Sequence, residues 1–124
     1  MQGWVDCSRV YVAASKGGAG AFSAVPIAAG ELVERGIVRR LPKGFNGTDS
    51  PYVFTWSEDR DVWAIGSGCS TFYNCSTDPN TEMYRDYEKD SFEIRALRDI
   101  EAGEELLHTY KSLAWRNCFS DLRE

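Results

Sequence analysis

The chain has 124 residues, 43% of them hydrophobic, with four tryptophans, six tyrosines and six phenylalanines. That is ample for one packed core and excludes a disordered chain. The net charge of −5 argues against nucleic-acid binding through a basic surface, and most acidic chains carry such a charge for solubility alone. No apolar run reaches membrane-spanning length, and residues 1–6 lack both the basic start and the apolar core of a secretion signal, so an intracellular protein is expected.

Short extended pieces separated by glycine, proline and aspartate turns predict a β-rich domain. Arg9 to Ala14 alternates and predicts a strand, and Ser15 to Gly20 predicts a glycine-rich turn into Ala21–Ala24. Pro26 to Glu31 predicts a second turn, which feeds a β-branched strand from Leu32 to Val38. Residues 40–50 read as loop. Tyr52–Trp56 and Val62–Ile65 flank the acidic run 57–61 and predict a hairpin with a solvated tip. Residues 66–73 have room for a turn or two of helix, and Phe92–Leu97 predicts a further strand. The kernel Ile-x-Ala-Gly-Glu occurs at 27–31 and again at 100–104. It predicts one turn used twice, with glycine in the left-handed region and glutamate opening the next strand.

The four cysteines, Cys7, Cys69, Cys75 and Cys118, show no Cys-x-x-Cys spacing, and His108 is the chain's one histidine. Free thiols are expected and no metal site.

Two segments have the look of neither core nor surface. Phe72-Tyr73-Asn74-Cys75-Ser76-Thr77-Asp78-Pro79-Asn80 places asparagines and a proline behind two aromatics, which fixes polar groups in a bent loop. Gly103-Glu104-Glu105-Leu106-Leu107-His108-Thr109-Tyr110 ends a glycine turn and a short apolar step in a tyrosine. Upstream stand Lys16 to Ala24, followed by Ile27 and Gly30 to Glu34, and then Tyr52-Val53-Phe54. In this order the four blocks resemble the SET domain of protein lysine methyltransferases, and the chain is similar to compact, free-standing viral members. The resemblance implies a mostly β fold of several small antiparallel sheets with little helix. It also implies a C-terminal pseudoknot that brings the Asn74 loop to Tyr110. One domain over 1–124 is expected, with a motif core at about 9–110 and a lid segment at 111–124.

The activity the resemblance implies is transfer of a methyl group from S-adenosylmethionine, leaving S-adenosylhomocysteine, to a lysine of a protein. A histone tail is the family's analogy, with a nuclear location if that holds. The resemblance makes Tyr110 the catalytic tyrosine, orienting the amine together with carbonyls for which Thr71 and Phe72 are candidates. Gly18, Ala19 and Gly20 would let the donor approach the backbone. Asn74 would meet the donor's ammonium with its amide, or else cap its own loop. Tyr52, Phe72 and His108 would line the lysine channel, although Tyr52 also reads as core and His108 as an ordinary strand histidine. His108 is further expected to titrate near neutral pH. Trp115 is a candidate lid over the donor, or an anchor for the C-terminus. Cys75 departs from the family's usual histidine: it keeps the main-chain contact to the adenine and loses the imidazole, which predicts weaker donor binding. That lesion also supports a rival reading, a SET-like module that binds donor or peptide without turnover. The sequence leaves a homodimer open.

Overall fold

The computed structural model describes residues 3–16, 18–45, 53–56 and 62–109. Nine short strands and one 3-10 turn make up these segments. β1 (Val10–Ser15) and β2 (Gly18–Ser23) form an antiparallel hairpin in which Ser15 pairs with Gly18. The glycine turn is therefore shorter than predicted, because strand pairing runs into it from both sides.

β3 (Leu32–Arg40) is the central strand of a five-stranded antiparallel sheet. Around it lie β4 (Phe54–Thr55), β5 (Trp63–Gly66), β7 (Thr81–Asp86) and β8 (Ser91–Ala96), in the order β4-β5-β3-β8-β7. β4 pairs with β5 as the predicted hairpin, whose acidic tip lies outside the described residues. The helical room expected in 66–73 holds one 3-10 turn, Ser70–Phe72. β6 (Asn74–Cys75) and β9 (Leu107–His108) form a small parallel pair.

The core gathers Val33, Val38, Trp56, Phe92, Ile94 and Leu106, all with at most 6% of their surface exposed. Strand alternation supplies most of it: in β8, Phe92, Ile94 and Ala96 point inward while Glu93 and Arg95 pair on the outer face. Gly36 of β3 lies against Phe92, whose ring fills the space a β-carbon would need.

The two Ile-x-Ala-Gly-Glu kernels adopt the same turn. Gly30 and Gly103 are left-handed, at φ 84° and 85°. In the first turn the Glu31 carboxylate accepts from the Ala28 N–H at 2.8 Å, and in the second Glu104 accepts from Glu101 at 3.1 Å. The kernels also meet: Ile27 and Ile100 exchange backbone hydrogen bonds of 2.9 and 2.8 Å, with both side chains buried.

Candidate functional site

From its glycine turn the segment 103–109 runs first along β2 and then along β6. Gly103 N–H donates to the Ser23 carbonyl and Leu106 N–H to that of Ala21, and Phe22 bridges Glu105. The chain then enters β9, where Leu107 pairs with Asn74 and His108 with Cys75. Asn80, 1% exposed, locks the crossing: it donates to Glu104 and to the Glu105 carbonyl and accepts from the Leu107 N–H. Every polar atom of that buried amide is satisfied, which accounts for an asparagine at this point. Beyond His108, the Thr109 hydroxyl donates to the Ser76 carbonyl.

These pairings bring Asn74 to the β1–β2 hairpin. Its Nδ2 lies 2.9 Å from Glu105 Oε2, 3.3 Å from the Ala19 carbonyl and 3.5 Å from Ser15 Oγ. A carboxylate and a carbonyl can only accept, so the amide's NH2 end must face them. The orientation turns Oδ1 away as the atom able to accept from a cationic ammonium. Ser15 donates to the same Glu105 oxygen at 2.8 Å. Gly20 is buried beneath this group, while Gly18 and Ala19 beside it are exposed. Among the described residues no cation pairs with Glu105, so its negative charge stands next to the amide. Sequence reasoning passed over both Ser15 and Glu105. The one signal for Glu105 was its place in the Gly-Glu-Glu-Leu step, and its role depends on the Phe22 bridge, which is a tertiary contact.

On the other side of the β6–β9 pair, His108 is 3% exposed and stacks on Tyr73, with ring centroids 5.5 Å apart. Burial, with a smaller contribution from the Arg85 charge, drives its pKa down to about 3. The expectation that it titrates near neutral pH is thereby corrected: the imidazole is neutral throughout the physiological range. Phe72 ends the 3-10 turn and is 39% exposed. The structure thus gathers Gly18, Ala19, Gly20, Asn74, Cys75 and His108 around the β2–β6–β9 junction, with Phe72 two residues before Asn74. Tyr110, Tyr52 and Trp115 lie outside the described residues. A separate open cleft, lined by Trp4, Arg35, Ser91 and Phe92 among others, includes none of the described site residues.

A family model, that of the SET domain, matches residues 18–111. The chain belongs to the SET-domain family. Among solved structures, this SET domain is similar to a Plasmodium falciparum protein described as a histone methyltransferase, at 22% identity and TM-score 0.66. The match covers 82% of this chain and 92% of that one. It is also similar to a chain of the Chaetomium thermophilum polycomb repressive complex 2, at 26% identity and TM-score 0.64, covering 85% of this chain and 14% of that one. The same complex in an autoinhibited conformation bound to S-adenosylmethionine matches at 27% identity and TM-score 0.62, over 77% of this chain and 14% of that one. The SET domain described here therefore spans about a seventh of the polycomb chains it resembles. A search of curated proteins found no match. SET domains are as a family protein lysine methyltransferases that draw on S-adenosylmethionine.

Proposed function

We propose that this SET domain transfers a methyl group from S-adenosylmethionine to a lysine side chain of a protein, with histone tails as the substrate class. The observation that carries this reading is the Asn74 amide, oriented by Glu105, Ala19 and Ser15 beside an exposed glycine-rich edge. The residues present fit the methionine end of such a donor. Asn74 Oδ1 would accept from its ammonium, the Glu105 carboxylate adds favourable charge, and Gly18 and Ala19 leave their backbone open to close approach. The donor supplies an electrophilic methyl on a sulfonium. Tyr110, two residues past His108, is the candidate to orient the incoming amine. An ammonium entering an apolar channel beside a cation is pushed toward its neutral form by desolvation and like charge. The neutral His108–Tyr73 stack adds no positive charge there. Alignment of amine and methyl can lower the barrier by roughly 7–11 kcal/mol in the best cases. The chain's net charge of −5 suits a basic peptide, and the solved neighbours' association with histone methylation favours histones.

Calorimetric titration of S-adenosylmethionine into the purified chain, with Asn74→Ala as control, tests the donor site. Saturable binding that the variant weakens by about tenfold or more is the expected result, equivalent to one charge-assisted hydrogen bond. Incubation with histone peptides and mass spectrometry then reads the methyl transfer, which Tyr110→Phe should abolish. Cys75 favours a second reading, a module that binds without turnover. Binding with no methylated product, unchanged by Tyr110→Phe, would select it.

A further inference from the structure

Away from the donor site, three chain segments deliver metal-ligating side chains to one point. Asp6 and Arg35 exchange backbone hydrogen bonds of 2.9 Å, which lays Cys7 beside Glu34. The β3–β8 register shifts between Leu32 and Glu34, and this bulge buries Val33 and Glu34 in succession, leaving Glu34 0% exposed. After β5, Gly68 takes the left-handed conformation at φ 62° and turns Cys69 back toward β3. The Cys69 N–H donates to Glu34 Oε2 at 2.8 Å, and the Tyr73 hydroxyl donates to Oε1 at 2.8 Å. A β-carbon on Gly68 would collide with Glu34 Oε2 and stand 3.5 Å from Cys7 Sγ. One ligand atom from each of Cys7, Glu34 and Cys69 lies within 4.8 Å of the other two.

A buried carboxylate ordinarily sits against a cation, because desolvation costs several kcal/mol. Among the described residues no lysine or arginine forms an ion pair with Glu34. Burial pushes Glu34 up to about 7 and Cys69 up to about 12, the direction expected where potential anions crowd one another. The Asp6 carboxylate adds a smaller push in the same direction.

We propose that Cys7, Glu34 and Cys69 form a binding site for a thiophilic divalent cation, zinc by the chemistry of its ligands. Two thiolates and one carboxylate are a donor set for zinc rather than for magnesium or calcium, which take oxygen alone. With metal–sulfur bonds of about 2.3 Å and a metal–oxygen bond of about 2.0 Å, tetrahedral ligand atoms stand about 3.5–3.8 Å apart, a contraction of about 1.3 Å at most from the observed spread. Tyr73 and the Cys69 N–H would serve as the outer hydrogen bonds that aim the carboxylate. On binding, each thiol releases its proton to solvent and its sulfur pair forms the metal bond, with no change of oxidation state. The ion would staple the N-terminal segment and the 67–73 turn to β3. Since Tyr73 directly precedes Asn74, it would also brace the strand that carries the donor amide.

The test is titration of cobalt(II) into the reduced, chelator-stripped full chain, followed in the visible and near-ultraviolet. The expected result is one equivalent bound with a thiolate-to-cobalt charge-transfer band and tetrahedral ligand-field bands, reversed by added zinc. Cys7→Ser and Cys69→Ser should remove the charge-transfer band or cut its intensity by about half, and Glu34→Gln should weaken affinity by about tenfold or more. The Cys75→Ser, Cys118→Ser double variant should give the wild-type cobalt spectrum and stoichiometry. Three outcomes overturn the proposal: no thiolate band in wild type, a band that follows Cys75 or Cys118, or a Cys7–Cys69 disulfide in protein kept under reductant. The wild-type spectrum decides even if a variant fails to fold.

Discussion

Gly20 is glycine because three side chains occupy the space where its β-carbon would stand. That atom would lie 2.6 Å from Glu105 Oε2, 2.8 Å from Ser15 Cβ and 3.0 Å from Asn74 Nδ2. All three belong to the cluster that orients the Asn74 amide, so a methyl group there strikes the proposed donor site. Gly20→Ala should cost about 1–3 kcal/mol in urea unfolding, the usual range for overpacking. It should also lose S-adenosylmethionine affinity by more than the stability change alone accounts for, as read by calorimetry on folded protein. Glu105→Gln separates charge from shape. The side chain keeps its size, yet its carboxamide can present an N–H where Asn74 and Ser15 both need an acceptor. We expect a urea midpoint close to wild type and donor affinity down by about tenfold, the value of one charge-assisted contact. An unchanged affinity would show that the Glu105 carboxylate does no more than close the hairpin.

The repeated turn shows how much of the fold is legible at the scale of elements. Ile-x-Ala-Gly-Glu needs nothing beyond local chemistry, and both copies fold as read, with left-handed glycines and a glutamate returning to the first N–H of the turn. Neither Gly30 nor Gly103 has any atom within 4 Å of a would-be β-carbon, so alanine there meets open space. Gly30→Ala and Gly103→Ala should therefore each destabilise by about 1–2 kcal/mol through backbone conformation alone, as measured by urea midpoint. β7 was illegible for the opposite reason. Thr-Glu-Met-Tyr-Arg-Asp is a polar edge strand in which Thr81 and Met83 are buried, and it exists because β8 pairs with it. Glu34 was hidden too, since only the bulge in β3 turns it inward beside Val33. Cysteine spacing offered no hint of a metal site, because Cys7 and Cys69 meet through the Asp6–Arg35 bridge and the left-handed turn at Gly68. The loop around Asn74 stood out in the sequence through its resemblance, whereas the contacts of Asn74 with Ser15 and Glu105 emerge only once β2 is paired.

Over the whole molecule, the segment 100–109 acts as a stitch. It joins the Ile27 turn, the β1–β2 hairpin, the Asn80 loop and β6, so anything that disturbs it disturbs every sheet at once. His108 lies at the end of that stitch, buried against the Tyr73 ring and paired in register with Cys75, with the Arg85 charge acting on it. Its folded pKa of about 3 lies far below the 6.5 of a free histidine, so between those values the unfolded chain binds the proton that the folded chain refuses. The stabilisation is complete above pH 6.5 and is lost as the pH falls toward 3. Lowering the pH from 7 to 4.5 should cost roughly 3 kcal/mol, at 1.36 kcal/mol for each pH unit below the unfolded value. Carboxylates also titrate in acid, so the measurement is a difference between urea-derived stabilities of wild type and His108→Phe across this range. Phenylalanine keeps the ring stack on Tyr73 and removes the titration, and the difference should grow steadily below pH 6.5. Because the chain has a single histidine, its imidazole proton resonances can be followed without assignment. They should stay constant from pH 8 to 5 while the protein remains folded. A titration near pH 6.5 would mean that His108 is open to solvent, and the acid loss of stability would then belong to other groups.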